Sequence, residues 1–177
     1  MEVILTTIIV GIGLSMDAFS LSLIYGTQGI SKTNKMILSF IVGMFHFFMP
    51  LFGSLFGDII FAFCNFNISI FISIIFGFIG FDMILSGIKE AEVNILSGLF
   101  GYLLFGFSVS IDSFTTGMGF ALINSNRIMV SFIFMLCSGF FTYIGLLIGN
   151  YLSDKLGKYA NVFGGVTFLL LALYYLF

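Results

Sequence analysis

Residues 13–26 read GLSMDAFSLSLIYG, an apolar run that carries an aspartate, Asp17, near its middle. The chain nearly repeats this at residues 108–120, SVSIDSFTTGMGF, again with an aspartate, Asp112, among apolar neighbours. An ionised carboxylate at the centre of a bilayer costs about 2.5 kcal/mol or more, so such a group faces a partner or a cavity rather than lipid. The two stretches therefore mark both a membrane fold and a site inside it.

Composition agrees. The 177 residues are 60% hydrophobic and only 8% charged, with a mean hydropathy of +1.21. A soluble domain is about 25% charged, so this chain cannot cover a globular surface with polar groups. A net charge of -2 excludes the basic footprint of a nucleic-acid binder. Cys64 and Cys137 have neither metal-type nor disulfide-type spacing and read as small apolar fillers. The Met-Glu start lacks a basic flank and a clear cleavage site, so the first apolar run reads as a retained spanning helix.

A spanning helix needs about 20 mainly apolar residues. Six windows qualify: 3–25, 36–58, 67–87, 95–122, 128–150 and 159–177. Short polar breaks separate them, and none could hold a soluble domain, so function must lie inside the bundle. The breaks after windows 1, 3 and 5 share one side and hold Lys32, Lys35, Lys89, Lys155 and Lys158, while the other side has only Arg127. The positive-inside rule places the lysine-rich loops in the cytoplasm and both termini outside a cell (inner) membrane.

The two halves match beyond their aspartates. Aligning Asp17 with Asp112 also pairs Ser15 with Ser110, Phe19 with Phe114 and Ser20 with Thr115. In the next window SFIVGMFHFFMPLFGSLFGD aligns with SFIFMLCSGFFTYIGLLIGN, pairing His46 with Ser138, Pro50 with Thr142, Gly53 with Gly145 and Gly57 with Gly149. Residues 1–88 and 95–177 thus read as tandem three-helix repeats. Three is odd, so the second repeat is inverted, an arrangement typical of secondary transporters with a site near the midplane. The expected fold is an all-α polytopic membrane protein, six transmembrane helices as an inverted 3+3 repeat.

Gly13, Asp17 and Ser20 form one helical stripe, and Ser108, Asp112, Thr115 and Gly119 form another. Facing carboxylates repel unless a cation or protons lie between them. An oxygen-rich, dianionic pocket suits a hard or borderline divalent ion, with Ser20, Thr115 and Thr116 as further oxygen donors. The alternative is a pair of protonated aspartates bonded across helices as packing. His46, the one histidine, sits four residues before Pro50, the one proline, which removes a donor to the His46 carbonyl and should kink the helix there. His46 reads as a metal ligand, a proton carrier or a core residue. Asp82 is a surface charge or an access-path ligand, and Asp58 and Asp154 read as solvated helix ends. The pairs Gly53/Gly57 and Gly145/Gly149 are small-residue stripes for close helix packing.

No P-loop, Gly-x-Ser-x-Gly, His-Glu-x-x-His or dinucleotide fingerprint is present. The chain reads as a non-enzyme without a cofactor, and any pumping must draw on an ion gradient. GLSMDAF, GMFHFFMPLFG, GFDMI and SIDSF together resemble the bacterial manganese efflux pump family (MntP), a branch of the LysE-type exporters, over essentially the whole chain. The resemblance implies export of manganese(II) as substrate, with intramembrane aspartates at Asp17 and Asp112 and an important glycine at Gly26. The loop after the third window is shorter here, and the His46 position can hold glutamate in that family. Proton-coupled export is the expected function. Another divalent cation or small solute, or a non-transporting role like that of a related sporulation membrane protein group, are the alternatives.

Overall fold

The computed structural model describes residues 2–27, 29–63, 68–88, 98–121, 126–149 and 155–176. Those residues form seven helices and no strand: α1 (Glu2–Gly26), α2 (Lys32–Phe63), α3 (Ile68–Ile88), α4 (Leu99–Ser108), α5 (Ile111–Ala121), α6 (Arg127–Ile148) and α7 (Lys155–Leu176). Five of the six expected windows are single helices. The fourth is two, α4 and α5, bent by 41° at Val109–Ser110. This corrects the expectation of one continuous fourth helix.

Three helical stretches are long and apolar enough to cross a membrane: Val3–Gly26, Lys32–Ile60 and Arg127–Ile148. The bent pair would make a fourth, and Ile72–Leu85 and Val162–Leu176 are shorter apolar helices. Large apolar side chains face outward on every long helix, including Phe40 on α2, Phe78 on α3, Phe140 on α6 and Phe163 on α7. So wide an apolar surface is stable against lipid and unstable against water.

The helix ends are set locally. The Ser31 hydroxyl accepts from the Asn34 amide at 3.3 Å before α2, and the Asn126 side chain accepts from the Met129 amide at 3.2 Å before α6, each satisfying a donor that the first turn leaves free. Lys32 and Lys35, expected in a loop, belong to the first turn of α2. Lys35 is buried, a second correction. The helix runs unbroken through Pro50.

Glycines fix how the helices pack, because a Cβ there would collide with a neighbouring backbone. On α6, Gly145 abuts Ser22 and the Phe19 carbonyl, and Gly149 abuts the Leu23 carbonyl. On α2, Gly53 abuts the Phe114 carbonyl and Gly57 lies against Met118. Gly11 lies beside Cys137 and Phe134, and Gly106 beside Phe45 and Ile41. These contacts advance together along the chain, so α1 runs parallel to α6, and α2 parallel to α4 and α5. Gly43 meets Met135 while Gly139 meets Ser39, so α2 and α6 are antiparallel. The pair α3 and α7 is also antiparallel: Ser73 Oγ donates to the Ala172 carbonyl at 2.6 Å, and Gly80 meets Gly165.

Two apolar cores result. One gathers Val10, Leu14, Ile72, Phe76, Phe134 and Phe168 between α1, α3, α6 and α7. The other gathers Ala18, Tyr25, Leu38, Val42, Phe105 and Leu146 around α1, α2, α4 and α6.

Candidate functional site

Asp17 lies about midway along the unbroken α1 and is half-buried. Its stripe-mate Gly13 packs against the Phe168 ring of α7, which aims that stripe at α7. Phe19, on another face, meets Phe141 of α6 edge-on at 6.3 Å. Asp112 is the second residue of α5 and also half-buried. Its stripe-mate Gly119 faces Ile72 and Ile75 of α3. Since α3 and α7 pack on one another, the two aspartate stripes point toward the same pair of helices from different sides, and α1 and α5 are not close neighbours themselves.

The break in front of Asp112 matters chemically. Between α4 and α5 the helical ladder gives way to tighter turns: the Ser110 amide and hydroxyl both donate to the Phe107 carbonyl, at 3.2 Å and 2.9 Å. Asp112 then sits in the first turn of α5, where unpaired amides and the helix dipole favour a negative charge. The expected stripe through Ser108 is therefore not one continuous helix face, and Ser108 itself is exposed. Thr115 is half-buried, while Ser20 and Thr116 are buried.

Asp82 stands exposed on α3. Gly164 of α7 touches Met83 and Met16, the chain neighbours of Asp82 and Asp17, while Gly119, two turns beyond Asp112 on α5, lies against Ile72 and Ile75 of α3. The carboxylates of α1, α3 and α5 thus all border the α3–α7 pair. They are not drawn into a closed ligand shell: among the described residues no three His, Cys, Asp or Glu side chains lie close enough together to hold an ion.

His46 is fully buried on α2. Its Nδ1 lies 3.0 Å from the Val42 carbonyl. A carbonyl can only accept, so Nδ1 carries the proton and the neutral ring presents a lone pair at Nε2. Nε2 is buried without a hydrogen-bond partner among the described residues. This is how a protein prepares a histidine ligand, with one nitrogen held by a backbone carbonyl and the other free. Among the described residues His46 joins no three-residue ligand group with the aspartates; it lies one turn before Pro50, where α2 meets α5. Gly117 of α5 rests on the Pro50 backbone, and one turn back along each helix lie Ser113 and His46.

Sequence reasoning passed over Ser113. Its hydroxyl, like those of Thr116 and Thr142, is buried without a partner among the described residues. Ser113 follows Asp112 directly and so falls off the aspartate stripe, by about 100° around the helix. Its burial arises from α5 packing on α2, which no local pattern displays. Asp58, expected to be solvated, forms a 2.6 Å ion pair with Arg127.

The sequence model of one protein family, described as "Putative manganese efflux pump", matches residues 29–176. The chain belongs to the manganese efflux pump family. Relatives span nearly its full length. A protein of Bacillus pumilus (strain SAFR-032) is 30% identical over 175 residues, covering 98% of this chain and 95% of its own. Another, of Bacillus cereus (strain G9842), is 32% identical over 184 residues, covering 99% and 97%. A third, of Bacillus mycoides (strain KBAB4), is 30% identical over 185 residues, covering 100% and 98%. Each is named "Putative manganese efflux pump MntP". No solved structure matches the chain. Membership of this manganese efflux pump family, with the apolar helices, makes the chain a multi-pass membrane protein of a transporter rather than an enzyme family. Gly26, the glycine singled out by resemblance, has a structural reason: a Cβ there would lie 2.8 Å from the Leu146 carbonyl and 3.0 Å from the Gly149 Cα, at the crossing of α1 and α6.

Proposed function

We propose that the chain exports manganese(II) from the cytoplasm across the cell (inner) membrane, in exchange for protons, through a site that uses Asp17 and Asp112. What supports this reading is that the helical stripes of Asp17 and Asp112, two carboxylates amid apolar helices, point toward the same pair of helices, with Asp112 at the start of a half-helix. A pair of carboxylates is neutral with one dication or with two protons, and costly when empty in a low-dielectric surround. Such a site exchanges one load for the other. Manganese binds the deprotonated pair from inside; protons arriving from outside displace it. His46 Nε2 supplies a nitrogen ligand or a proton relay, Ser20, Thr115 and Thr116 supply hydroxyl oxygens, and Asp82 draws cations toward the pair.

The same proposal includes six spans in an inverted 3+3 repeat, residues 1–88 and 95–177. Its support is the way contacts exchange between halves. Gly53 meets Phe114 and Gly145 meets Phe19; Gly57 meets Met118 and Gly149 meets Leu23. Phe19 and Phe114, Gly53 and Gly145, and Gly57 and Gly149 are the pairs the internal alignment makes, and Leu23 and Met118 follow in the same register. Gly43 meets Met135, its own counterpart, as expected on a two-fold axis. Discontinuous helices at the site are a recurrent feature of such transporters.

The decisive experiment is manganese movement into everted vesicles containing the protein under an imposed pH gradient. Uptake that disappears with a protonophore and with Asp17→Asn supports the proposal; uptake indifferent to the gradient removes the proton coupling. Orientation is tested separately. An impermeant thiol reagent on intact cells should leave Lys32→Cys and Lys155→Cys unlabelled, and labelling of both would reverse the topology.

A further inference from the structure

The two ends of the bundle are closed by basic residues that the internal repeat makes equivalent. Arg127 opens α6 and Lys35 lies in the first turns of α2, and the register that pairs His46 with Ser138 pairs Lys35 with Arg127. Each reaches the far end of the other's helix. Arg127 pairs with Asp58 of α2 at 2.6 Å, with both side chains partly exposed. Lys35 Nζ donates to the Leu146 carbonyl of α6 at 2.6 Å, and Lys35 is only 5% exposed.

What lies behind each basic residue differs. Behind Arg127 lies a shallow, mostly apolar crevice between α2, α5 and α6, lined by Pro50, Ser54, Gly117, Phe120, Val130 and Ser131 and closed in this structure. Its inner end, at Pro50 and Gly117, is one helical turn from His46 and Ser113. The same register places Thr142, Ser22 and Ser39 as counterparts of Pro50, Gly117 and Ser131. All three are buried, and beside them the ammonium of Lys35 is tucked in against α6. One end of the α2–α6 seam is thus closed by an ion pair at the surface, and the other by a buried side chain.

We infer that Lys35 and Arg127 are the two gates of the transport path, Lys35 sealing the cytoplasmic mouth and the Arg127–Asp58 pair the external one. This rests on the inverted-repeat reading and the orientation given above. The gates suit a cation as cargo. A buried ammonium in the path repels an arriving dication and must withdraw before it passes, and its single bond to a backbone carbonyl releases more readily than a carboxylate pair would. With both contacts made, the structure is then the state closed on both sides.

The test measures access and needs no transport. In protein with Cys64→Ala and Cys137→Ala, a reporter Ser39→Cys reads the inner path and Ser131→Cys the outer one, by labelling rate with an impermeant maleimide in vesicles of each orientation. Lys35→Met should raise labelling of Ser39→Cys about tenfold, the population shift expected on removing one hydrogen bond from a charged donor. Ser131→Cys should stay as it was. Asp58→Asn should do the converse, and Lys35→Arg, which keeps the donor, should keep Ser39→Cys slow. An unchanged Ser39→Cys rate in Lys35→Met overturns the gate. So does a rise at both reporters together, or equal rises in Lys35→Met and Lys35→Arg, since those report loosened packing. Because no ion is required, failure of manganese transport would leave this result standing. A rise at Ser39→Cys seen only from the outside would reverse the orientation and keep the gate.

Discussion

In the first half of the molecule Asp17 rides in the middle of an unbroken helix; in the second, its counterpart Asp112 begins a new helix after a 41° bend. The serines two residues earlier show the same divergence. Ser15 donates to the Gly11 carbonyl within a regular helix and lies 3.3 Å from Ser138. Ser110 donates to Phe107 at the joint itself. The middle helices diverge as well, His46 standing where the other half has Ser138. On the repeat proposed above, the two halves keep their packing surfaces, with glycine against carbonyl in both, while their polar positions differ. Packing must serve both halves alike, whereas a single asymmetric ion needs only one copy of each ligand.

The largest expected effect concerns what the halves still share. Asp17→Asn, Asp112→Asn and the double variant should each cut manganese export by about a hundredfold or more, and by similar amounts, because groups acting as one unit are strongly non-additive. All three should insert at normal levels, since Asn removes a costly charge and keeps shape. Vesicle transport at matched protein levels decides. Near-normal export by either single variant would separate the aspartates and return that one to a packing role.

Next come the shared surfaces. Gly53→Val and Gly145→Val each drive a side chain into a neighbouring helix backbone and should destabilise the protein by about 1–3 kcal/mol. The losses should match if the halves pack as equivalents. Gly77→Ala is the contrast: the nearest atom to its Cβ is Ala172 Cβ at 3.9 Å, and alanine favours helix over glycine by up to about 1 kcal/mol. Thermal unfolding in detergent should therefore show it neutral or slightly stabilised. Unequal losses at Gly53 and Gly145 would count against the two-fold relation.

The third effect tests the divergence. His46→Ala should lower export about tenfold, the order seen when one ligand or its support is removed from a metal site. His46→Glu should keep part of the activity, as carboxylate oxygen also binds manganese. Ser138→Ala should be close to wild type. Normal export by His46→Ala would make His46 a core residue after all.

Much of this was legible in the sequence. Hydropathy marked the six windows, the Ser-x-Asp-x-Phe repeat marked the two halves, and glycine spacing marked the contact faces. The failures have a common cause. The fourth window breaks at Val109–Ser110, where neither glycine nor proline gives notice. Lys35 sits among polar neighbours in TQGISKTNK and reads as loop, but a carbonyl 111 residues away holds it. Arg127 and Asp58 likewise meet only in three dimensions. Periodicity reports which face of a helix is apolar; it does not report which polar group a distant helix will bring to that face.

The smallest expected effect bears on how the halves came to differ. Ser15→Ala removes one hydroxyl from an intact helix, where the ladder already serves the Gly11 carbonyl; losing its 3.3 Å contact with the buried Ser138 should cost about 1 kcal/mol of stability, but it leaves the α4–α5 bend alone. Ser110→Ala removes a hydroxyl at the joint. Among the described residues the Phe107 carbonyl then keeps the Ser110 amide at 3.2 Å, and a part-buried carbonyl made poorer by one bond costs about 1 kcal/mol. The bend should relax toward a straight helix, moving Asp112 out of the first turn where free amides favour its charge. Ser110→Ala should therefore weaken manganese affinity a few-fold while Ser15→Ala leaves it alone, a difference measurable by titrating transport rate against manganese concentration. Equal and negligible effects would mean that the bend is held by the packing of Phe105 and Phe120 on either side of it, and that Ser110 merely occupies it.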